Sequence, residues 1–204
     1  MDNLKIFDQK LNHDFSRVEK IDFFKNAEIL GIRQKNESLI FDFFNRQIIF
    51  SQEGFVDAKG LPLTDSVKEV LCQYLLMCPD PMYENSDKLV TLREFSESGP
   101  LFSRFTANAG KIIETTFSGN LEKLINRCLA LGGTILKNAS YDLSVRFKAL
   151  SRIPIILNFN DKDDMLPASA GFLFQDNADK SLDLKSLSIL CTYLTGQLIH
   201  EIPG

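Results

Sequence analysis

Residues 141–175 read YDLSVRFKALSRIPIILNFNDKDDMLPASAGFLFQ, and the reading of this stretch decides the fold. Tyr141, Leu143, Val145 and Phe147 alternate with Asp142, Ser144, Arg146 and Lys148, so one side is apolar and the other polar. Side chains in a strand point alternately to opposite faces, which makes this a half-buried strand. The next run, IPIILNF, is apolar on both faces apart from Asn158 and predicts a central strand reached through a turn at Ser151 and Arg152. GFLF, after the aspartate-rich segment, is a third and shorter strand.

The flanking sequence supplies helices. Downstream, Leu187, Leu190, Cys191, Leu194 and Leu198 recur at helical spacing, which predicts a helix over 183–199 capped by Ser181 or Asp183. Upstream, Leu121, Leu124, Ile125 and Cys128 form a stripe over 120–131, with Asn120 as cap and Gly132-Gly133 as the stop that needs positive φ. A second helix is expected over 99–117. A third, over 64–78, carries Val67, Val70, Leu71, Tyr74, Leu75 and Cys78 behind a Thr64 cap and ends at Pro79 and Pro81. Between residues 28 and 51 the runs EILGIRQ, ESLIFDFF and RQIIFS predict an antiparallel meander, turning at QKNES and at Asn45-Arg46 and followed by a Gly54 turn. The first 26 residues place Leu4, Phe7, Leu11, Phe15, Val18 and Ile21 on one stripe, an amphipathic helix over 3–26. TLREF, after a loop, is a short strand. Strands in groups separated by helices indicate an α+β fold, a mostly antiparallel sheet with helices packed on one face, in a single domain over residues 1–204.

Composition narrows the function classes. A hydrophobic fraction of 44% and a charged fraction of 25% are those of a soluble globular chain, long enough to need no disulfide or metal staple. The 17 Phe set against no Trp read first as core packing, because phenylalanine fills space without needing a hydrogen-bond partner. A net charge of −4, with basic residues scattered singly, argues against nucleic acid, whose affinity comes from clustered Lys and Arg. The beginning, MDNLKIFDQK, is too charged for a secretory leader, and no apolar run reaches the length of a membrane helix, so a cytoplasmic protein is expected. Cys72, Cys78, Cys128 and Cys191 lack C-x-x-C spacing, and three of them sit on apolar helix faces as small hydrophobes. His13 and His200, both near chain ends, leave little for histidine chemistry.

Two constellations carry charge in apolar company. Asp161, Asp163 and Asp164 have the density of a calcium loop, but the template that starts at Asp161 requires Gly at its sixth position and Glu at its twelfth, where this chain has Leu166 and Phe172. A solvated turn, with aspartates as turn and cap residues, is the favoured reading, and no metal is expected. Paired carboxylates there would do acid/base work if one were buried against Met165-Leu166-Pro167. Arg93 and Glu94 in TLREF point to opposite faces of a strand, so one of them faces inward and needs a partner. They make either a structural ion pair or a receptor in which the Arg93 fork holds an anion. A phosphate cradle is absent, since Gly132-Gly133 follow a helix where a P-loop precedes one, and no G-x-S-x-G elbow occurs. FDFF at 41–44 interleaves its aromatics with an acid, which does not suit single-stranded nucleic acid.

The order FFNRQIIF, SVKEVLCQYLL, TLREF, LGG, RIPIILNFNDKDDMLPASAGFLFQ and a terminal helix resembles a bacterial and archaeal family known only as a domain of unknown function. The resemblance covers the chain from about residue 20 and is most specific over Pro154–Phe174. The family pattern Asp-x-Glu-Phe-Pro-Ala appears as Asp164-Met165-Leu166-Pro167-Ala168, without the glutamate, and its Leu-Phe-Asp as Leu173-Phe174-Gln175, with Asp176 one place late. Both departures remove carboxylates that an acid/base or metal site would use. Some relatives carry a four-cysteine iron–sulfur module, which this chain lacks, and no activity comes with the resemblance.

The expectation is a binding or accessory domain without a cofactor, recognising a small anionic ligand or a protein partner. Its site residues are drawn from Arg93, Glu94, Asp161, Asp163, Asp164 and Asp176. The alternative is an enzyme that uses the carboxylates of 161–176 with Arg93. A shared pocket would favour a ligand site or enzyme, while a large exposed Phe patch would favour a role in assembly.

Overall fold

The computed structural model describes residues 16–18, 23–51, 53–79, 83–84, 86–96 and 105–200. The elements follow in this order: helix α1 (Phe23–Leu30), strands β1 (Arg33–Lys35), β2 (Ser38–Phe43), β3 (Arg46–Ser51) and β4 (Gly54–Asp57), and helix α2 (Asp65–Leu76). Strand β5 (Leu89–Thr91) runs into a 3-10 turn at Leu92–Glu94, and a π turn at Thr106–Gly110 runs into α3 (Lys111–Phe117). Helix α4 (Leu121–Ala130), strands β6 (Thr134–Ile135), β7 (Leu143–Leu150), β8 (Ile153–Asn160) and β9 (Ser169–Gln175), and helix α5 (Leu184–Ile199) complete the described chain.

The fold is α+β, with two antiparallel sheets and helices packed alongside. The meander β1-β2-β3-β4 forms a four-stranded sheet of its own, and the second sheet has the order β5-β9-β8-β7-β6. IPIILNF is therefore the middle strand of five. Its register places Val145 opposite Leu157 and Leu157 opposite Phe172, and Phe147 opposite Ile155 and Ile155 opposite Phe174. These six side chains share one face, all are buried, and α3, α4 and the π turn pack against the same sheet. Helix α5 lies against α2, α3 and α4, with Leu187, Leu190, Cys191, Leu194 and Leu198 buried. Asp183 caps it by accepting from the Ser186 amide at 2.6 Å, and Thr64 caps α2 by accepting from the Val67 amide at 3.4 Å.

Several local expectations differ from what forms. The meander begins at Arg33, because Glu28, Ile29 and Leu30 of EILGIRQ are helical. Gly31, at φ 67°, closes α1 with its amide on the Glu28 carbonyl and the Ile32 amide on the Ala27 carbonyl, so glycine sets that boundary. In the hairpin after β2 the positive φ falls on Phe44, at 51°. The Phe44 amide donates to the Ala149 carbonyl at 3.1 Å, and this tie between the two sheets accompanies a conformation unusual for a bulky residue. Asn120 occupies the cap position of α4, but its side chain donates to the Ser118 carbonyl instead. Gly132, at φ 80°, stops α4 as anticipated. The helix expected over 3–26 lies largely outside the described residues, although Val18 of its stripe is fully buried.

Two polar ties, each anchored on a buried side chain, join these layers. The Tyr74 hydroxyl donates to the Leu30 carbonyl and accepts from the Arg152 amide, both at 3.0 Å, which fixes α1 and the β7–β8 turn on α2. Lys185 Nζ lies 2.7 Å from Glu69 Oε1 and links the first turn of α5 to α2.

Candidate functional site

The second face of the five-stranded sheet is polar, and that is where a cleft forms. The same register that buries Val145, Phe147 and Leu157 turns Arg146, Lys148, Pro154, Ile156, Leu173 and Gln175 the other way. Strand β5 pairs with β9, adding Leu89 to this face opposite Gln175, and the segment before β5 contributes Ser86 and Asp87. The result is a cleft of about 360 Å³, of the size that takes a small ligand. Leu89 and the half-buried Pro154 supply a small apolar floor over the buried Leu150 and Ile156, while Arg146, Lys148, Gln175, Ser86, Asp87 and Ser151 supply polar groups.

The polar groups differ in how far they are already engaged. Gln175 donates to the Ser86 carbonyl at 2.8 Å, which fastens the Ser86 segment to β9. Lys148 stands 3.7 Å from Asp42 on β2, a loose and exposed pair. Among the described residues no carboxylate pairs with Arg146. An arginine fork exposed above an apolar floor is suited to a planar anion, which it holds through two parallel hydrogen bonds.

The residues singled out from sequence are distributed over three places. Asp161, Asp163 and Asp164 lie in the β8–β9 connection, at the end of the sheet away from the cleft. Asp161 accepts from the amides of Gly119 at 2.6 Å and Lys162 at 2.7 Å. Asp163 accepts from the amides of Met165 and Leu166, both at 2.7 Å, and those bonds hold its carboxyl below the ordinary value. Glu94 accepts from the Thr91 amide at 2.7 Å and the Thr91 hydroxyl at 2.9 Å, a capping box whose amide bond comes first in lowering its pKa. TLREF is accordingly a strand end followed by a 3-10 turn, and Arg93 does not line the cleft. Asp176 sits directly after Gln175 and lies 3.8 Å from Lys88, which places it beside the cleft rim.

Among the described residues, the cleft is not lined by the acidic turn, Arg93 or Asp176. Arg146 and Lys148 read in the sequence only as the polar side of a half-buried strand, although two cations on consecutive outward positions are the signal of an anion site. A second, wide hollow of about 480 Å³ lies over the first turns of α4, lined by Gly119, Glu122, Lys123 and Arg127 among others. It has one helix for a wall and no apolar floor comparable to the cleft's. Among the described residues no three His, Cys, Asp or Glu side chains are grouped to hold a metal ion, and no helix is long and apolar enough to cross a membrane. Every described phenylalanine with an assigned exposure is buried or half-buried, so the described surface shows no exposed Phe patch.

No curated protein and no solved structure gives a significant match. Residues 22–197 match one family over nearly all of the region described above: the chain belongs to the family described as Domain of unknown function (DUF3786).

Proposed function

We propose that the protein binds a small anionic ligand in the sheet-face cleft. Arg146 would receive the anionic group, Lys148 would add charge, and Leu89 and Pro154 would take an apolar body. The observation that carries this reading is Arg146, an exposed arginine without a paired carboxylate among the described residues, set at the edge of an apolar floor. A second reading, an enzyme acting through carboxylates and an arginine, is favoured by Asp87 in the lining and Asp176 just beyond it. Arg146 would then take the role that the sequence suggested for Arg93. The family resemblance adds an expected setting, the cytoplasm of a bacterium or archaeon, with iron–sulfur modules on some relatives.

Titration of the labelled protein with butyrate, succinate and inorganic phosphate, followed by amide chemical shifts, tests this. Shifts concentrated at Arg146, Ile156 and Gln175, lost in Arg146→Gln and retained in Arg93→Gln, are expected. Saturable shifts centred elsewhere, or equal loss in both variants, would overturn it. Hydrolase or transferase turnover that requires Asp87 or Asp176 would favour the enzyme.

A further inference from the structure

The β8–β9 connection presents two large apolar side chains to solvent. Met165 is 90% exposed and Leu166 is 66% exposed, at the end of the sheet remote from the cleft. They are held there by a turn that does not depend on burying them. Asp163 accepts from both of their amides and its own amide donates to the Leu166 carbonyl at 3.0 Å, while Asp161 is fastened to Gly119. A rigid tip of this kind loses little conformational freedom when it docks, so most of the free energy of burying Met165 and Leu166 remains available for association.

We infer that the tip of one copy docks in the cleft of a second copy. The two surfaces are complementary in both respects that govern association. Met165 and Leu166 meet the apolar surface of Leu89 and Pro154, and the carboxylates of Asp163 and Asp164 meet Arg146 and Lys148. The tip and the cleft of one chain cannot meet. Pro154 and Asn160 lie six steps apart along β8, roughly 20 Å at strand spacing. Docking is therefore between copies, either head to tail into chains or rings or as a reciprocal two-fold exchange of tips. Each contact draws on two exposed apolar side chains and a cleft of about 360 Å³, a small surface for association, which makes it weak and dependent on concentration. This inference rests on the cleft being an anion site, since the tip offers it carboxylates on an apolar body.

Sedimentation velocity on the full chain from about 10 μM to 1 mM tests it, with a tip variant (M165D/L166D) and a cleft variant (R146E/K148E). All four side chains have exposed positions, so both variants are expected to fold, which circular dichroism checks. The wild-type mass should rise with concentration from the 23.1 kDa of one chain, and each variant alone should stay monomeric. An equimolar mixture of the two should form a dimer and nothing larger, because the tip variant keeps a cleft and the cleft variant keeps a tip. A wild-type monomer throughout, self-association of the tip variant equal to wild type, or no dimer in the mixture would each overturn the inference. If the cleft still binds succinate or phosphate in that event, the ligand reading stands without it. If it binds neither small anion while the mixture dimerises, the ligand reading falls and the docking remains.

Discussion

Arg46 Nε donates to Asp57 Oδ2 at 2.9 Å between adjacent strands, with only 2% of the Asp57 side chain exposed. The other carboxylate oxygen accepts from the amides of Lys59 at 2.8 Å and Leu61 at 3.2 Å. Arg46 in turn donates to the Tyr193 hydroxyl on α5 at 3.2 Å and to the Pro62 carbonyl at 3.3 Å. Phe43 and Phe44 pack on the same Tyr193 ring, at centroid distances of 5.0 Å and 5.4 Å. One buried carboxylate thus holds the loop after β4, and its arginine joins the small sheet to α5.

Asp57→Ala should cost about 3–5 kcal/mol in urea unfolding, because it leaves the Arg46 charge and two amides of a buried network unmatched. Burial works to raise the Asp57 carboxyl, but the bonds from Arg46, Lys59 and Leu61 outweigh it and hold the group below its ordinary value of 3.8. A carboxyl lowered in the folded state contributes stability above its unfolded pKa, and that contribution is lost as pH falls through the folded value. Compared by urea unfolding from pH 7 to pH 2, wild type and Asp57→Asn should differ most above about pH 5 and converge in acid. A constant gap across that range would show that the charge of Asp57 does not contribute.

Gly133 follows α4 where the chain passes over β7. A methyl group there would lie 2.6 Å from Val145 Cγ1, 2.8 Å from the Cys128 carbonyl oxygen and 2.9 Å from the Phe147 ring. Gly133→Ala should therefore destabilise by about 1–3 kcal/mol or more, as overpacking in a closed core does. Gly171, in the interior of β9, has nothing within 4 Å of the same position. Gly171→Ala should leave the thermal midpoint unchanged or slightly raised, and an equal loss in both variants would refute the steric account.

Burial should order the thiols by reactivity. Cys72, Cys128 and Cys191 are buried, and burial pushes the Cys128 thiol up to about 12 and raises that of Cys191 as well. Cys78, at the end of α2, is half-buried. At pH 8 an aromatic disulfide reagent should release one equivalent of thiol quickly from the native chain and the other three after denaturant is added. Two or more fast equivalents would mean that α2, α4 or α5 opens locally.

How far the sequence reached depended on the kind of signal. The strands of residues 141–175 and the stripes of α2, α4 and α5 were legible, because alternation and helical spacing are short-range properties fixed by the geometry of each element. The meander starts later than its apolar pattern predicts, since apolar residues such as Ile29 and Leu30 suit helix or strand equally and Gly31 decides between them. TLREF reads as a short strand or extended edge, because nothing in its residues separates a Thr91–Glu94 capping box from a charged pair on alternating faces.

The sequence by itself determined the α+β class, the central place of IPIILNF, the cap at Thr64, the choice between Ser181 and Asp183 as the cap of α5, and the stop at Gly132-Gly133. It also identified the residues of the acidic turn as turn-formers, since an aspartate followed by small loops of chain bonds the nearest amides wherever it stands. Only the tertiary structure decided that the meander forms a separate sheet, that Arg46 and Asp57 are joined to Tyr193, and that Arg146 and Lys148 stand over an apolar floor with Ser86, Asp87 and Gln175. Those groups are brought together by strand pairing between segments up to about ninety residues apart, and no local pattern records which strand will lie beside which.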